Sequence, residues 1–131
     1  MASIRKEILI AVAPQQVWDA MRDVGALHTR LVRGFVTDCR LDGDARVVTF
    51  ANGIVARELI VSVDDEHRRV AWSSVGGRMT HHNASAQVIA QADGTTRFVW
   101  IADLLPDELA PAIGEMMEQG LAVIAKTLGD S

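Results

Sequence analysis

The C-terminal end of the chain restricts the fold more than any other segment. Residues 96–105 are rich in β-branched and aromatic residues, as strands are, and Pro106 ends this run. Asp107 and Glu108 follow, and proline with acidic residues is typical of a helix N-terminus. Beyond them, apolar residues recur at spacings of three and four, which places them on one helix face: Leu109, Ile113, Met116, Met117, Gly120, Leu121, Ile124 and Leu128. The chain therefore ends in an amphipathic helix whose apolar face needs a sheet to cover it.

Several strand-like segments precede this helix, with short turn sequences between them. The first lies at residues 4–12, and two short helices are predicted after it, at 14–23 and 26–31. Turn sequences such as Asn52-Gly53 and Asp93-Gly94 are strong hairpin signals, so consecutive strands should pair antiparallel. The six later strands are predicted at residues 35–41, 46–51, 54–64, 69–75, 80–91 and 96–105.

This order of elements predicts an α+β fold. A seven-stranded curved antiparallel sheet would wrap around the long C-terminal helix, with two short helices after the first strand. No linker, repeat or low-complexity segment divides the sequence, so we expect a single domain over residues 1–131. Small residues such as Ala84, Ala86 and Gly120 would either let sheet and helix approach closely or leave a cavity between them. The sequence leaves both outcomes open.

Composition narrows the classes of partner. The formal net charge of -4, with acidic and basic residues interspersed, argues against a nucleic-acid partner. No targeting segment and no apolar run of membrane-spanning length is evident, so we expect a cytoplasmic protein without integral membrane association. The single cysteine, Cys39, excludes an internal disulfide and a multi-cysteine zinc site. Its charged neighbours Asp38 and Arg40 alternate with apolar residues, which indicates a buried structural thiol. No cofactor is expected.

Three short motifs carry a family resemblance. Residues 13–23 contain Pro14-Gln15-Gln16-Val17-Trp18, residues 63–72 run from Val63 to Trp72 through Arg68-Arg69-Val70, and residues 94–100 begin Gly-Thr and end at Trp100. They resemble the Pro-x-x-Val-Trp helix, the Asp-x-x-x-Arg-Arg-Val-x-Trp hairpin and the Gly-Thr-Arg-x-x-Trp strand of the SRPBCC superfamily. These are the START-like, birch-pollen-allergen-like and polyketide-cyclase-like helix-grip proteins, and the resemblance covers essentially the whole chain.

The resemblance implies a hydrophobic cavity between the sheet and the C-terminal helix. Across the superfamily such cavities hold lipids, sterols, hormones and polyketides, in carriers, sensors, cyclases and enzyme subunits, so the fold alone does not define an activity. The motifs themselves are structural rather than catalytic.

Candidate ligand-binding residues are those expected to face such a cavity: Phe35, Trp72, His82, Trp100, Ile113, Met116, Met117, Gly120, Leu121 and Ile124. Tryptophans would line a pocket for a flat apolar ligand or simply fill a core. Methionines on the helix would give a deformable lining or belong to that core. Because the chain has no tyrosine, a ligand would be oriented by a histidine or by amide and hydroxyl side chains: Asn83, Ser85, Gln87, Ser73, Ser74 or Thr49.

Adjacent histidines, His81 and His82, are the most prominent reactive side chains. Neighbouring residues of a strand point to opposite faces of the sheet, so at most one of the two enters a cavity. Two adjacent histidines without a further ligand motif make a poor metal site, and no metal is predicted.

An acid–base pair is a further candidate. If Ala92 lies opposite Thr95 across the Asp93-Gly94 turn, Ala84 lies opposite Asp103 and beside His82. A polar group would then form at one end of the cavity from His82, Asp103 and either Arg57 or Glu58. His82 and Asp103 are therefore the catalytic candidates, and the alternative is a structural histidine–carboxylate pair at the sheet end.

Three functions remain at this point. The first is binding of a small hydrophobic or amphipathic molecule between sheet and helix, with the ligand left unchanged. The second is a polyketide cyclase-like or hydratase-like enzyme, acting on an aromatic or polyketide-type substrate through His82 and Asp103. The third is an interaction module that forms a homodimer through a sheet edge or the helix.

Overall fold

The computed structural model describes residues 1–129 as one sheet with helices against it. The elements in chain order are β1 (Ala2–Ile10), α1 (Pro14–Arg22), a single π-helical turn (Leu27–Leu31), β2 (Val36–Asp42), β3 (Ala45–Phe50), β4 (Val55–Asp64), β5 (Arg69–Val75), β6 (His81–Ala90), β7 (Thr96–Leu105), a 3-10 turn (Asp107–Leu109) and α2 (Ala110–Gly129).

The seven strands form one antiparallel sheet in the order β1-β7-β6-β5-β4-β3-β2. Strands β2 to β7 follow one another as a meander, and β1 pairs with β7. The predicted α+β helix-grip architecture is confirmed, and each strand of the meander begins and ends within one residue of its predicted position. Irregular pairing at Val36/Asp38 in β2 and Ile60/Ser62 in β4 introduces bulges, and bulges help a sheet to curve.

Helix α2 lies in the concave face of this sheet. Five residues of the predicted apolar stripe are on its buried side, together with Gly114 and Thr127: Met117, Gly120, Leu121, Ile124 and Leu128. Of the remaining stripe residues, Ile113 and Met116 are half-buried, and Leu109 lies in the preceding 3-10 turn. None of the described helices is long and apolar enough to cross a membrane.

The start of α2 differs from the prediction. A 3-10 turn follows Pro106, with Leu109 N donating to Pro106 O at 3.2 Å, and the α-helix begins only at Ala110. Pro111 has no amide hydrogen, so the α-helical bond from residue 111 to Asp107 O cannot form. The carbonyl of Asp107 instead accepts from Ala110 N, three residues along the chain.

The β6–β7 register also differs from the prediction, by one residue. The loop contains Ala92, Asp93 and Gly94, because Gln91 N donates to Thr95 O at 2.9 Å and thereby closes the hairpin one residue earlier. Gly94 has a positive φ of 86°, as the last residue of such a three-residue loop requires. Consequently Ala84 pairs with Ala102, Asn83 with Asp103 and His82 with Leu104.

Helix α1 fixes one end of the structure. Trp18 is buried, and its Nε1 donates to Asp65 Oδ1 at 3.0 Å in the β4–β5 turn. Arg22 Nε donates to the same oxygen at 2.8 Å, and this guanidinium holds the pKa of Asp65 below its usual range. The first two structural motifs of the sequence therefore meet in one contact between α1 and the sheet.

Cys39 is buried as predicted, and desolvation raises the pKa of its thiol.

Candidate functional site

A cavity of about 910 Å³ lies between the concave face of the sheet and the N-terminal half of α2. This volume is in the range of small-molecule binding sites. Exposed lining residues mark its mouth in the β3–β4 turn, in the β5–β6 loop and on α2: Ala51, Asn52, Ile54, Gly76, Gly77, Arg78, Ala112, Glu115 and Gln119. The mouth therefore lies between two hairpin connections and the long helix.

The walls are mainly apolar. Trp72 and Trp100 stand beside each other with ring centroids 6.2 Å apart, and Phe35 meets Phe50 edge to face at 5.8 Å. Aliphatic and further aromatic side chains complete the lining: Met21, Leu27, Leu31, Val32, Val36, Val48, Val70, Phe98, Ile113, Met116 and Ile124. Such a surface binds apolar groups by removing them from water.

An ion pair interrupts this apolar surface. Arg46 in β3 lies directly opposite Glu58 in β4, and Arg46 Nε donates to Glu58 Oε1 at 2.8 Å. Their side chains are only 4% and 10% exposed, and both residues line the cavity. A charge pair at this depth is costly to bury, and removing one partner typically destabilises a protein by about 3–5 kcal/mol.

The guanidinium of Arg46 has two further contacts. Its Nη1 donates to Val24 O at 3.2 Å, in the connection between α1 and the π-helical turn. Its Cζ lies 5.3 Å from the centroid of the Trp72 ring, a cation–π distance. Arg46 is therefore held on three sides by a carboxylate, a carbonyl and an aromatic face.

His82 brings a titratable ring to the same surface. The residue is 8% exposed and lines the cavity, and its Nδ1 accepts a hydrogen bond from Ser74 N at 3.4 Å. Burial lowers the pKa of His82, against a smaller opposing effect of the Glu58 charge, and nearby His81 lowers it further. The ring is thus neutral near pH 7, and since Nδ1 is the acceptor, the proton is on Nε2.

Four polar residues on adjacent strands form what we call the floor row: Arg46, Glu58, Ser74 and His82. Glu58 pairs in register with both Arg46 on β3 and Ser74 on β5, and the Ser74 amide contacts the His82 ring on β6. The positive and negative charges of the row cancel, because the histidine is neutral. The site is therefore an apolar cavity crossed by one row of hydrogen-bonding groups without net charge.

The structure brings seven of the ten predicted ligand-binding residues into the cavity wall: Phe35, Trp72, His82, Trp100, Ile113, Met116 and Ile124. Met117, Gly120 and Leu121 are buried beside the cavity but do not line it. A Cβ on Gly120 would stand 2.9 Å from Trp100 Cζ3, so helix and sheet are in direct contact at this point. The apolar stripe of α2 extends along the whole helix, whereas the cavity occupies only part of that length.

The predicted pairing of His82 with Asp103 is wrong. In the observed register, Asp103 lies opposite Asn83 and accepts from Ser3 Oγ at 2.6 Å, on the side of the sheet away from the cavity. Of the two further candidates, Arg57 pairs with exposed Asp42 at 2.6 Å, and Glu58 is the residue that lines the cavity with His82.

The sequence reasoning missed Arg46. One signal was available, because Arg46 alternates with Val48 and Phe50 and so shares their face of β3. Among the described residues, no group of three or more His, Cys, Asp or Glu side chains is arranged to hold a metal ion.

Comparison with solved structures identifies the same fold in several proteins. An uncharacterised protein from Bacillus thuringiensis is 18% identical, with a TM-score of 0.87 over 97% of this chain and 98% of its own. A protein from Thermobifida fusca, solved by NMR, is 25% identical, with a TM-score of 0.81 over 99% of this chain and 95% of its own.

Norcoclaurine synthase from Thalictrum flavum, solved as a point mutant with a transition-state analogue, is 19% identical, with a TM-score of 0.69 over 97% of this chain and 91% of its own. At this identity the similarity establishes a shared fold.

No curated protein matches the sequence. Residues 1–129 match the family described as "Polyketide cyclase / dehydrase and lipid transport". The chain therefore belongs to the polyketide cyclase/dehydrase and lipid transport family.

Proposed function

We propose that this protein binds a small, mostly apolar molecule in the cavity between its sheet and α2. The observation that carries the proposal is a space of about 910 Å³ with largely apolar walls and one row of polar groups on the floor. A cavity of this kind binds by burying apolar ligand surface, and a few polar groups orient the ligand. The lipid transport in the family's description, and the analogue bound to norcoclaurine synthase, support a role of this type.

A neutral fluorescent dye such as Nile red tests the proposal, because its emission rises in apolar surroundings. Ala86 faces the cavity between Val70 and Trp100, so Ala86→Leu places a larger side chain in the space. We expect at least about a tenfold loss of dye affinity, corresponding to about 1.4 kcal/mol. Ala90→Leu is the matched control, since Ala90 is an exposed residue of the same strand outside the cavity wall.

The proposal fails if the wild-type protein does not bind the dye, or if both leucine variants bind it equally well. Native mass spectrometry of the purified protein adds an independent measurement, in which a co-purified small molecule would appear as a mass above 14.2 kDa.

An enzymatic role is the second candidate, and the position of His82 in the cavity favours it. A neutral imidazole in the cavity wall can accept and return a proton at a bound substrate. His82→Ala separates the two functions. A binding protein should keep its ligand affinity within about tenfold, whereas acid–base catalysis should lose about a hundredfold or more in rate.

Other expectations from the sequence stay predictions: a cytoplasmic location, the absence of a cofactor and of a nucleic-acid partner, and homodimer formation as an alternative role. Size-exclusion chromatography with light scattering measures the last of these, since a dimer has twice the mass of the 14.2 kDa chain.

A further inference from the structure

The floor row has a property that bears on which ligands the cavity accepts. Building on the proposed function, we infer that Glu58 makes the cavity select a neutral ligand with a hydroxyl group over a carboxylate of the same hydrocarbon skeleton. Glu58 is thus assigned as the specificity-determining residue of the site.

The first step of the argument concerns the positive charge. Arg46 is the only cationic side chain of the floor row, and it already pairs with Glu58 at 2.8 Å, donates to Val24 O at 3.2 Å and covers the Trp72 ring. A ligand carboxylate that approaches Arg46 would meet the carboxylate of Glu58 within the same buried space. Like charges repel strongly where water is scarce, so the anion gains little from the guanidinium.

The second step concerns the groups that remain available. Glu58 Oε1 accepts from Arg46, while Oε2 has no hydrogen-bond donor among residues 1–129. This oxygen is not among the fully buried polar atoms without a partner, so it is accessible and can accept from a ligand hydroxyl. His82 has its Nδ1 occupied by Ser74 N, so its protonated Nε2 is a donor for an oxygen lone pair.

Together these groups match an uncharged hydroxyl, which both donates and accepts. Such a group can donate to Glu58 Oε2 or accept from His82 Nε2 without adding charge to a row whose charges already cancel. The mouth does not change this balance, because Arg78 and Glu115 line it with opposite charges. Steric fit is set by the apolar walls, and the floor row then distinguishes molecules of equal size by charge.

The experiment compares three ligands with one naphthyl skeleton by isothermal titration calorimetry at pH 7: naphthylmethanol, naphthoate and naphthylmethylamine. We expect the wild-type protein to bind the alcohol at least about tenfold more tightly than the carboxylate. Glu58→Gln keeps the shape and an acceptor oxygen but leaves the Arg46 charge uncompensated. In this variant the alcohol-to-carboxylate preference should fall by at least about tenfold, because the carboxylate can now pair with Arg46.

Glu115→Gln is the matched control, since it removes a negative charge from the exposed rim of the same cavity and should leave the preference unchanged. If Glu58→Gln does not fold, the double variant Arg46→Met with Glu58→Leu replaces the pair by apolar residues of similar volume. This variant should bind the naphthyl skeleton without the wild-type preference.

The outcomes separate the two proposals. Equal binding of alcohol and carboxylate by the wild-type protein, tightest binding of the amine, or an unchanged preference in Glu58→Gln overturns the role of Glu58 and leaves cavity binding intact. Failure of all three ligands and of Nile red to bind overturns both.

Discussion

The two ends of the space beneath α2 are built from similar residues but are packed differently. At one end, α1 and the C-terminal half of α2 fill the space with side chains, and Val17, Trp18, Leu121 and Leu128 are all at most 3% exposed. At the other end, the N-terminal half of α2 faces the cavity, and its Ile113 is only partly buried.

The two ends therefore differ in what they contribute: one stabilises the fold, and the other provides the cavity. Dense packing contributes most of the stabilising van der Waals contact, because each buried side chain has neighbours on every side. Residues that line a cavity lack part of that contact, and the cavity leaves room for another molecule. Helix α2 therefore lines the cavity mainly with its first half, whereas its second half, apart from Ile124, packs into the filled core.

The largest expected effect compares truncations in the two halves of α2. Leu121→Ala should lower the free energy of unfolding by about 2–5 kcal/mol, since it opens a new cavity in a filled core. Ile113→Ala should cost less than about 1 kcal/mol, because the removed atoms already border open space. Urea denaturation measures both values, and equal losses would contradict the division of the helix into two regions.

An intermediate effect is expected at the boundary between the regions. A Cβ on Gly120 would stand 2.9 Å from Trp100 Cζ3, so Gly120→Ala must displace that indole and should cost about 1–3 kcal/mol. At Gly114 a Cβ would meet only Lys6 and Ile4, at 3.7 and 3.8 Å, so Gly114→Ala should stabilise the helix by about 0.5–1 kcal/mol. Thermal unfolding compares the two variants. A neutral or stabilising Gly120→Ala would show that the contact with Trp100 is not tight.

The smallest expected effect is a pH dependence from the floor row. Burial lowers the pKa of His82, so on acidification the unfolded chain takes up the proton first. The stability contributed by neutral His82 is complete above the ordinary histidine pKa of about 6.5 and is lost as the pH falls below it. His82→Gln should therefore reduce the loss of unfolding free energy between about pH 7 and about pH 5.

Surface residue His67 provides a control of opposite sign. Its hydrogen bond to Asp64 raises the pKa of His67, so its contribution is present below the ordinary histidine pKa and is lost as the pH rises. His67→Gln should make the decline on acidification steeper rather than shallower. If both variants changed the pH dependence of the unfolding free energy in the same direction, the burial of His82 would not be the cause of that dependence.

The fold could be predicted closely because local signals and strand periodicity agree. Turns such as Asn52-Gly53 separate the strands, and alternation of apolar residues identifies the inner face of each. The register of a single hairpin could not be predicted in the same way. Asp93-Gly94 is compatible with a two-residue or a three-residue loop, and the choice between them decides whether Asp103 lies opposite Ala84 or Asn83.

The site was predictable only in its apolar part. Aromatic and aliphatic positions such as Trp72 and Ile113 follow from periodicity alone. The pairing of Arg46 with Glu58 depends on the register of β3 against β4, which no short sequence pattern specifies. Arginine is usually exposed to solvent, so the sequence alone predicts that Arg46 points outward, whereas in the structure it points into the cavity.

The direct opposition of Arg46 and Glu58 has an evolutionary consequence. Each single replacement leaves the other charge buried without a partner, whereas simultaneous replacement by apolar residues, or exchange of the two, keeps the interior satisfied. Among descendants of a common ancestor, positions 46 and 58 should therefore change together or not at all. Relatives that have lost the pair should prefer different ligands, so a correlated substitution at these two positions would mark a change of specificity within the family.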